Sequence, residues 1–236
     1  MKRVNKVNSK TTIKSELYRL LKSYPDSLDF IEELSNIGEL LFFGGSIRDY
    51  YVYNEYKNMP RDFDIAIKID SHKEFLLDKL INNYSFRKNR FGGYKVQIDK
   101  LEFDIWNLEN TWAFKERKLM VGEQNLIKSV FLSVDGIAYN FNNDTLYDDE
   151  LKRSIENKQI NVVLKDNPQK ELNLLRALVF KKKYKFELSK DLKEEYRQSF
   201  KIHTNLHEVL HELQFSHYHC EYLTKNEVFK ELEYVK

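Results

Sequence analysis

The chain has 236 residues, 42% of them hydrophobic and 14% aromatic, which is enough apolar material for one sizeable core and a smaller attached unit. Its 39 basic and 37 acidic side chains leave a net charge of +2, which excludes a general polyanion binder and confines any nucleic-acid contact to local patches. A single cysteine, Cys220, excludes an internal disulfide framework and a thiolate pair for zinc. No apolar run approaches a membrane span, and the start "MKRVNKVNSKTTIKSEL" lacks the apolar centre of a signal peptide, so the expected compartment is the cytoplasm, with no membrane partner.

Residues 11–34 carry apolar side chains at helical spacing: Ile13, Leu17, Leu20 and Leu21, then Leu28, Ile31 and Leu34. Pro25 in "YPDS" breaks the rhythm, which predicts two helices. "ELLFFGG" reads as a short buried strand ending on glycines, and "SIRDYYVYNEY" as a helix starting at Ser46. "RDFDIAIKI" is the next strand, followed by a helix over "SHKEFLLDKLINNY" with Ser71 as its hydroxyl cap. "SFRKNRFGG" reads as a loop bearing a basic patch of Arg87, Lys88 and Arg90. "GGYKVQIDKLEFDIWNL" predicts two antiparallel strands with a turn near Asp99 and Lys100. A helical segment near "GEQNLIKSVFLS" precedes a hairpin in "GIAYNFNNDTLYD", turning at Asn142 and Asn143. From about Asp148 the pattern is mainly helical, which places a soft boundary near residue 150 and divides the chain into 1–150 and 151–236.

The strand "RDFDIAIKI" raises the chemical question, because it carries carboxylates inside an apolar run. Side chains alternate across a strand, so Asp62, Asp64 and Ala66 share one face, and Phe63, Ile65 and Ile67 the other. Adjacent carboxylates repel each other and resist desolvation unless a divalent cation offsets both. Oxygen ligands suit Mg²⁺ better than zinc. "KLEFDIWNL" repeats the pattern, with Glu102, Asp104 and Trp106 on one face. If this strand lies beside the first, Asp104 completes a cluster for two metal ions, with Glu102 as the spare candidate.

Gly44 and Gly45 sit between a strand and a helix, where backbone N–H groups and a helix N-terminus can approach phosphate oxygens, and Ser46 adds a hydroxyl donor. "FFGGSIRDYYV…RDFDIAI" resembles the G-G-x-x-R-D helix start and D-x-D strand of class II poly(A) polymerases and CCA-adding enzymes, within the DNA-polymerase-beta-like nucleotidyltransferase superfamily. The likeness continues through "GIAYNFNNDTLYDDELKRSIENKQINVV" and "LNLLRALVFKKKYKFELS", from about Gly38 to Ser189. It implies an α+β fold: a nucleotidyltransferase head with a mixed, largely antiparallel sheet flanked by helices, then a helical neck and a short C-terminal helical region. By resemblance Gly44, Gly45 and Ser46 hold the triphosphate of an NTP. Asp62, Asp64 and Asp104 are the catalytic carboxylates and ligands of two Mg²⁺ ions, with Mn²⁺ as a substitute. Arg48 and Asp49 match the family's helix pair, and Arg176 matches its L-R-A element.

The chain departs from the family at two places. The arginine-rich R-R-D-F-T-x-N-A stretch falls on "SVFLSVDGIA", and Asn173 stands where a base-pairing arginine is used. Nucleotide choice then falls to other residues, with candidates Trp112, Lys115, Arg117, Lys118 and Asp135. Lys181, Lys182, Lys183 and Lys185 form a basic run on a helix, weighed equally as an RNA contact, foremost to tRNA, and as a solvated face. The acceptor hydroxyl belongs to an RNA 3′ end, a small molecule or a protein, and a catalytically silent nucleotide- or RNA-binding protein is the reading from another class. "NLHEVLHEL" contains H-E-x-x-H (His207, Glu208, His211), a zinc-peptidase signature, with His203, His217, His219, Cys220 and Glu231 as further ligand candidates. Its apolar stripe of Leu206, Val209, Leu210 and Leu213 favours an ordinary packing helix.

Overall fold

The computed structural model describes residues 12–56, 58–89 and 92–235. The expected Ser71 hydroxyl cap and Arg90 lie outside the described residues and side chains. The chain forms two compact units: one holds the residues up to Ile127 and Ile137–Asp148, the other Lys128–Gly136 and Asp149 onward. No described helix is long and apolar enough to cross a membrane.

The first unit opens with helix α1 (Ile13–Leu21), capped by the Thr12 hydroxyl, which accepts from Ser15 N–H. Pro25 occupies the first turn of α2 (Pro25–Ile37), where its missing N–H has no helical partner to lose. Strand β1 (Glu39–Phe43), helix α3 (Gly45–Tyr53), strand β2 (Phe63–Lys68) and helix α4 (Glu74–Ile81) follow. Strands β3 (Ser85–Lys88), β4 (Tyr94–Ile98) and β5 (Leu101–Asn107) come next, then short helices α5 (Trp112–Lys115) and α6 (Glu123–Leu126) and the hairpin β6 (Ala138–Asn140) and β7 (Thr145–Tyr147). The seven strands form one sheet in the order β3-β4-β5-β2-β1-β6-β7, with every neighbour antiparallel except β2 and β5. The fold is α+β with a mainly antiparallel sheet flanked by helices, as the sequence led us to expect.

One sheet face carries Phe63, Ile65, Ile67, Phe103, Ile105, Leu40 and Phe42, each fully buried. The period-2 apolar pattern of the strands dictates this core. Toward one end of the opposite face, Leu41, Ala66 and Ala138 pack with Leu108, Phe114, Leu126 and Ile127, with Phe43 and Trp106 against them. Glu123 fastens α6 there through Lys68 (2.8 Å), Asn140 (2.9 Å) and Tyr147 (2.9 Å). The other end of this face carries the carboxylates.

Three local expectations need correction. Ser85–Lys88 is an edge strand paired with β4, so Arg87 and Lys88 lie on a strand and not on a loop. All four of its residues are exposed, which removes the apolar alternation that would mark a strand in sequence. The helix near "GEQNLIKSVFLS" is a single turn, because Ser133 N–H, Val163 N–H and Leu164 N–H tie the following stretch to a neighbouring extended segment. Helix α3 starts one residue before Ser46.

The second unit contains α7 (Asp149–Asn157), β8 (Gln159–Ile160), α8 (Lys170–Tyr184), β9 (Glu187–Leu188), α9 (Lys190–Ile202), α10 (Leu206–Tyr218) and α11 (Lys225–Val235). β8 and β9 pair in parallel. Tyr196, fully buried, donates to the Leu174 carbonyl at 2.6 Å and joins α9 to α8. Gln214, also fully buried, donates to Leu223 O and accepts from the N–H groups of Tyr222 and Leu223, closing the α10–α11 connection.

Candidate metal and nucleotide site

The parallel register sets Asp64 beside Asp104, and the antiparallel register sets Lys95 on the other side of Asp104. Residues in register on neighbouring strands share a face, so Asp62, Asp64, Glu102, Asp104 and Lys95 all project from the same side of the sheet. Asp62, Glu102 and Asp104 each offer a carboxylate oxygen, and these atoms lie within 4.8 Å of one another. Glu102, the spare by sequence reasoning, is thus a full member of the group. Asp64 lies toward the glycine turn: a Cβ on Gly44 would stand 3.2 Å from Asp64 Oδ2.

Two cations sit against this cluster. Arg61 donates to Asp62 Oδ2 from Nη2 at 2.7 Å and from Nε at 3.1 Å. Lys95 Nζ is bonded to Glu102 Oε1 and lies 2.9 Å from Asp104 Oδ2. The other Asp104 oxygen, Oδ1, is buried and has no hydrogen-bond partner among the described residues. Burial pushes the Asp104 carboxyl above its ordinary value; Lys95 opposes that rise, and the charges of Glu102 and Asp62 add to it. Burial alone would lower the Lys95 ammonium, but its bonds to Glu102 and Asp104 outweigh burial and raise it.

The glycine turn is built by its own backbone. Gly44 has φ +67° and ψ −133°, a conformation that side chains disfavour. Its N–H donates to Ile137 O and its carbonyl accepts from Arg48 N–H, so the N–H groups of Gly45 and Ser46 are the ones at the head of α3. Ser46 is buried, and its hydroxyl is 3.4 Å from the Phe43 carbonyl. Arg48 is also buried, bonded through Nε to Asp49 at 3.2 Å, with an Nη2 atom beneath Gly45. Its position braces the turn.

The remaining candidates separate by unit. Trp112 is half-buried at the start of α5, while Lys115, Arg117 and Lys118 are exposed. In the second unit Arg176 Nη2 donates to the buried Asp135 at 2.8 Å, and Asn173 donates to the Pro168 carbonyl at 3.0 Å. Lys181 and Lys182, weighed as RNA contacts, are bonded to Glu231 (2.6 Å) and Glu227 (2.7 Å) of α11, and Lys185 lies past the end of α8 in a left-handed conformation. The H-E-x-x-H helix gathers no three-ligand group among the described residues. Glu208 pairs with Lys225 at 2.7 Å, His211 with Glu221 at 2.8 Å, and the His207 ring stands edge-on to Phe229.

Lys95 is the residue sequence reasoning missed. A two-residue turn at Asp99 and Lys100, both with positive φ, fixes the β4–β5 register, and that register alone places Lys95 opposite Asp104. The signal was therefore present in the turn.

Among solved structures, a CCA-adding enzyme complexed with CTP aligns with a TM-score of 0.63 at 15% identity, covering 93% of this chain and 54% of that one. A CCA-adding enzyme with ATP gives 0.62 at 15% identity, covering 94% and 53%. A tRNA nucleotidyltransferase complexed with a primer tRNA and an incoming ATP analogue gives 0.51 at 18% identity, covering 69% and 48%. The chain has the fold of the CCA-adding enzymes. It spans about half the length of these neighbours. No protein-family model and no curated protein matches the sequence.

Proposed function

We propose that the chain is a metal-dependent nucleotidyltransferase that moves a nucleoside monophosphate from an NTP to a hydroxyl, foremost on an RNA 3′ end such as that of tRNA, and releases pyrophosphate. In this reading residues 1–150 are the transfer head and 151–236 the neck and C-terminal region. The observation that carries it is the convergence of Asp62, Glu102 and Asp104 on the sheet face where Asp64 meets the Gly44 turn. The nucleotide and tRNA complexes of the fold neighbours support the choice of substrates.

The donor set fits a hard divalent ion. It is all carboxylate, and Asp104 Oδ1 is a buried acceptor lacking a donor, the kind of atom a cation satisfies. Asp62, Asp64 and Asp104, with Glu102, would hold Mg²⁺ or Mn²⁺ in up to two positions. The ion, when bound, supplies Lewis-acid polarisation of phosphoryl oxygens and a more acidic acceptor hydroxyl.

The chain's own groups divide the remaining work. Gly45 and Ser46 present backbone N–H groups to the triphosphate at the start of α3, and the missing Gly44 side chain lets the phosphates approach Asp64. Asp104 positions the acceptor hydroxyl and takes its proton as the new P–O bond forms and the bond to pyrophosphate breaks. Arg48 supports the cradle, and the Asp135–Arg176 pair is the candidate for nucleotide reading.

Incubation with each labelled NTP, Mg²⁺ and total RNA tests this proposal, with Asp64→Asn as control. Transfer by the wild type alone supports it. Equal transfer by both proteins means the site is misassigned. If labelled products instead contain small molecules or protein, the chemistry stands and RNA as acceptor falls; bound nucleotide without transfer favours a silent binding protein.

A further inference from the structure

The proposed reaction gives Asp62, Asp64, Glu102 and Asp104 a task but leaves Lys95 without one. Lys95 comes from a separate strand, β4, and its ammonium lies between two of the carboxylates, one at 2.9 Å. Its side chain is only 20% exposed, so the group is held in the cluster and not waving above it. A divalent ion bound at the short distances typical of Mg²⁺ needs oxygens of the same two carboxylates, Glu102 and Asp104, even where it takes the open Oδ1 of Asp104. Two cations on the same pair of carboxylates repel, so the ion and the ammonium compete for the cluster.

Resting on the metal-dependent reading above, we propose that Lys95 is a resident counter-cation that a divalent ion must displace, and that the displaced ammonium then binds the polyphosphate of the incoming nucleotide. The charge balance supports this. Four carboxylates are opposed by Arg61 at Asp62 and Lys95 at Asp104, which leaves a residual charge suited to one bare divalent ion. Two divalent ions and a displaced ammonium are over-positive until the nucleotide contributes its own negative charge. The site thus takes a first ion in competition with the ammonium and a second only together with nucleotide.

A lysine is suited to such a move. Its ammonium is a compact point charge on a flexible four-carbon stem, able to leave one pair of oxygens and reach another without rearranging the backbone. Arg61, whose guanidinium bonds Asp62 Oδ2 through two nitrogens, is less free to do so. The asymmetry assigns the exchange to the Glu102–Asp104 side.

The test pairs two binding measurements on the full chain, with folding checked by circular dichroism. Mn²⁺ is titrated without nucleotide by the loss of the free-ion electron paramagnetic resonance signal. A non-hydrolysable ATP analogue is then titrated in saturating Mg²⁺ by calorimetry. Lys95→Gln is expected to tighten bare Mn²⁺ binding at least tenfold and to weaken analogue binding by about tenfold, while Lys95→Arg stays near wild type in the first. A purely structural lysine cannot move the two affinities in opposite directions. Unchanged Mn²⁺ affinity, or weakening of both, overturns the counter-cation role while leaving the transferase reading intact. Absence of Mn²⁺ binding from wild type and Lys95→Gln alike, at millimolar ion, overturns both.

Discussion

Gly44 and Asp64 are in close approach across the β1–α3 turn: a Cβ on Gly44 would lie 3.2 Å from Asp64 Oδ2, so the carboxylate would have to give by a few tenths of an ångström. The backbone at Gly44 also has φ +67°, which any L side chain resists. Gly44→Ala is expected to lose about 1–3 kcal/mol of stability through this strain and to lose nucleotide binding through displacement of Asp64. Thermal melts and analogue calorimetry on the same sample read both effects.

Removing a single carboxylate charge separates the catalytic group from its scaffold. Asp62→Asn and Asp104→Asn keep the side-chain shape but withdraw a ligand, so label transfer is expected to fall at least as far as the roughly 100-fold seen when supporting partners of metal ligands are changed. Asp104→Asn also relieves the like-charge crowding with Glu102 and Asp62. Its melting temperature is therefore expected to hold, and a matching loss of fold and activity would contradict the assignment.

Acid is expected to weaken the helical unit through Glu195. This carboxylate is 2% exposed and pairs with Lys165 at 2.7 Å and Lys170 at 2.5 Å. Burial opposes its ionisation, but the two lysines outweigh burial and hold its pKa below the ordinary 4.5. A depressed folded-state pKa stabilises above the unfolded value, and that stability drains away as pH falls from about 4.5 through the lowered value. Glu195→Gln is expected to cost about 1–2 kcal/mol at neutral pH and to flatten this acid limb in melts taken at stepped pH.

The basic run of α8 is expected to act on stability before it acts on RNA. Lys181 is held by Glu231, and Lys182 by Glu227 and the Tyr222 carbonyl. Lys181→Gln should lower stability by about 0.5 kcal/mol and change RNA retention by less than twofold in filter binding. A large fall in RNA affinity with unchanged melting would restore the phosphate contact weighed from sequence.

The alternation of acidic and apolar residues in β2 and β5 was readable because a strand has a period of two and a buried face tolerates no carboxylate. Gly44–Gly45 was readable because only a turn before a helix asks for that pair in such a place. β3 was not readable: "SFRK" is an exposed edge with no apolar face to reveal it. The pairing of Lys181 with Glu231 was also invisible, since charges fifty positions apart declare nothing about their contact until α8 and α11 pack. Lys95 lies between these cases, implied by turn geometry but silent in composition.

The path of the chain through its two units bears on how the protein can be made. Strand β1 is flanked by β2 on one side and by β6 on the other, yet β6 is reached only after the chain has visited the second unit through Lys128–Gly136. During synthesis on the ribosome, β1 and β2 emerge long before β6, and the backbone groups of Leu40 and Phe42 present an unpaired strand border until β6 and Phe141 arrive. A nascent chain stalled after Ile127 would offer that border to any other nascent copy. Protection of the sheet thus comes with residues 137–148, before most of the second unit has been made.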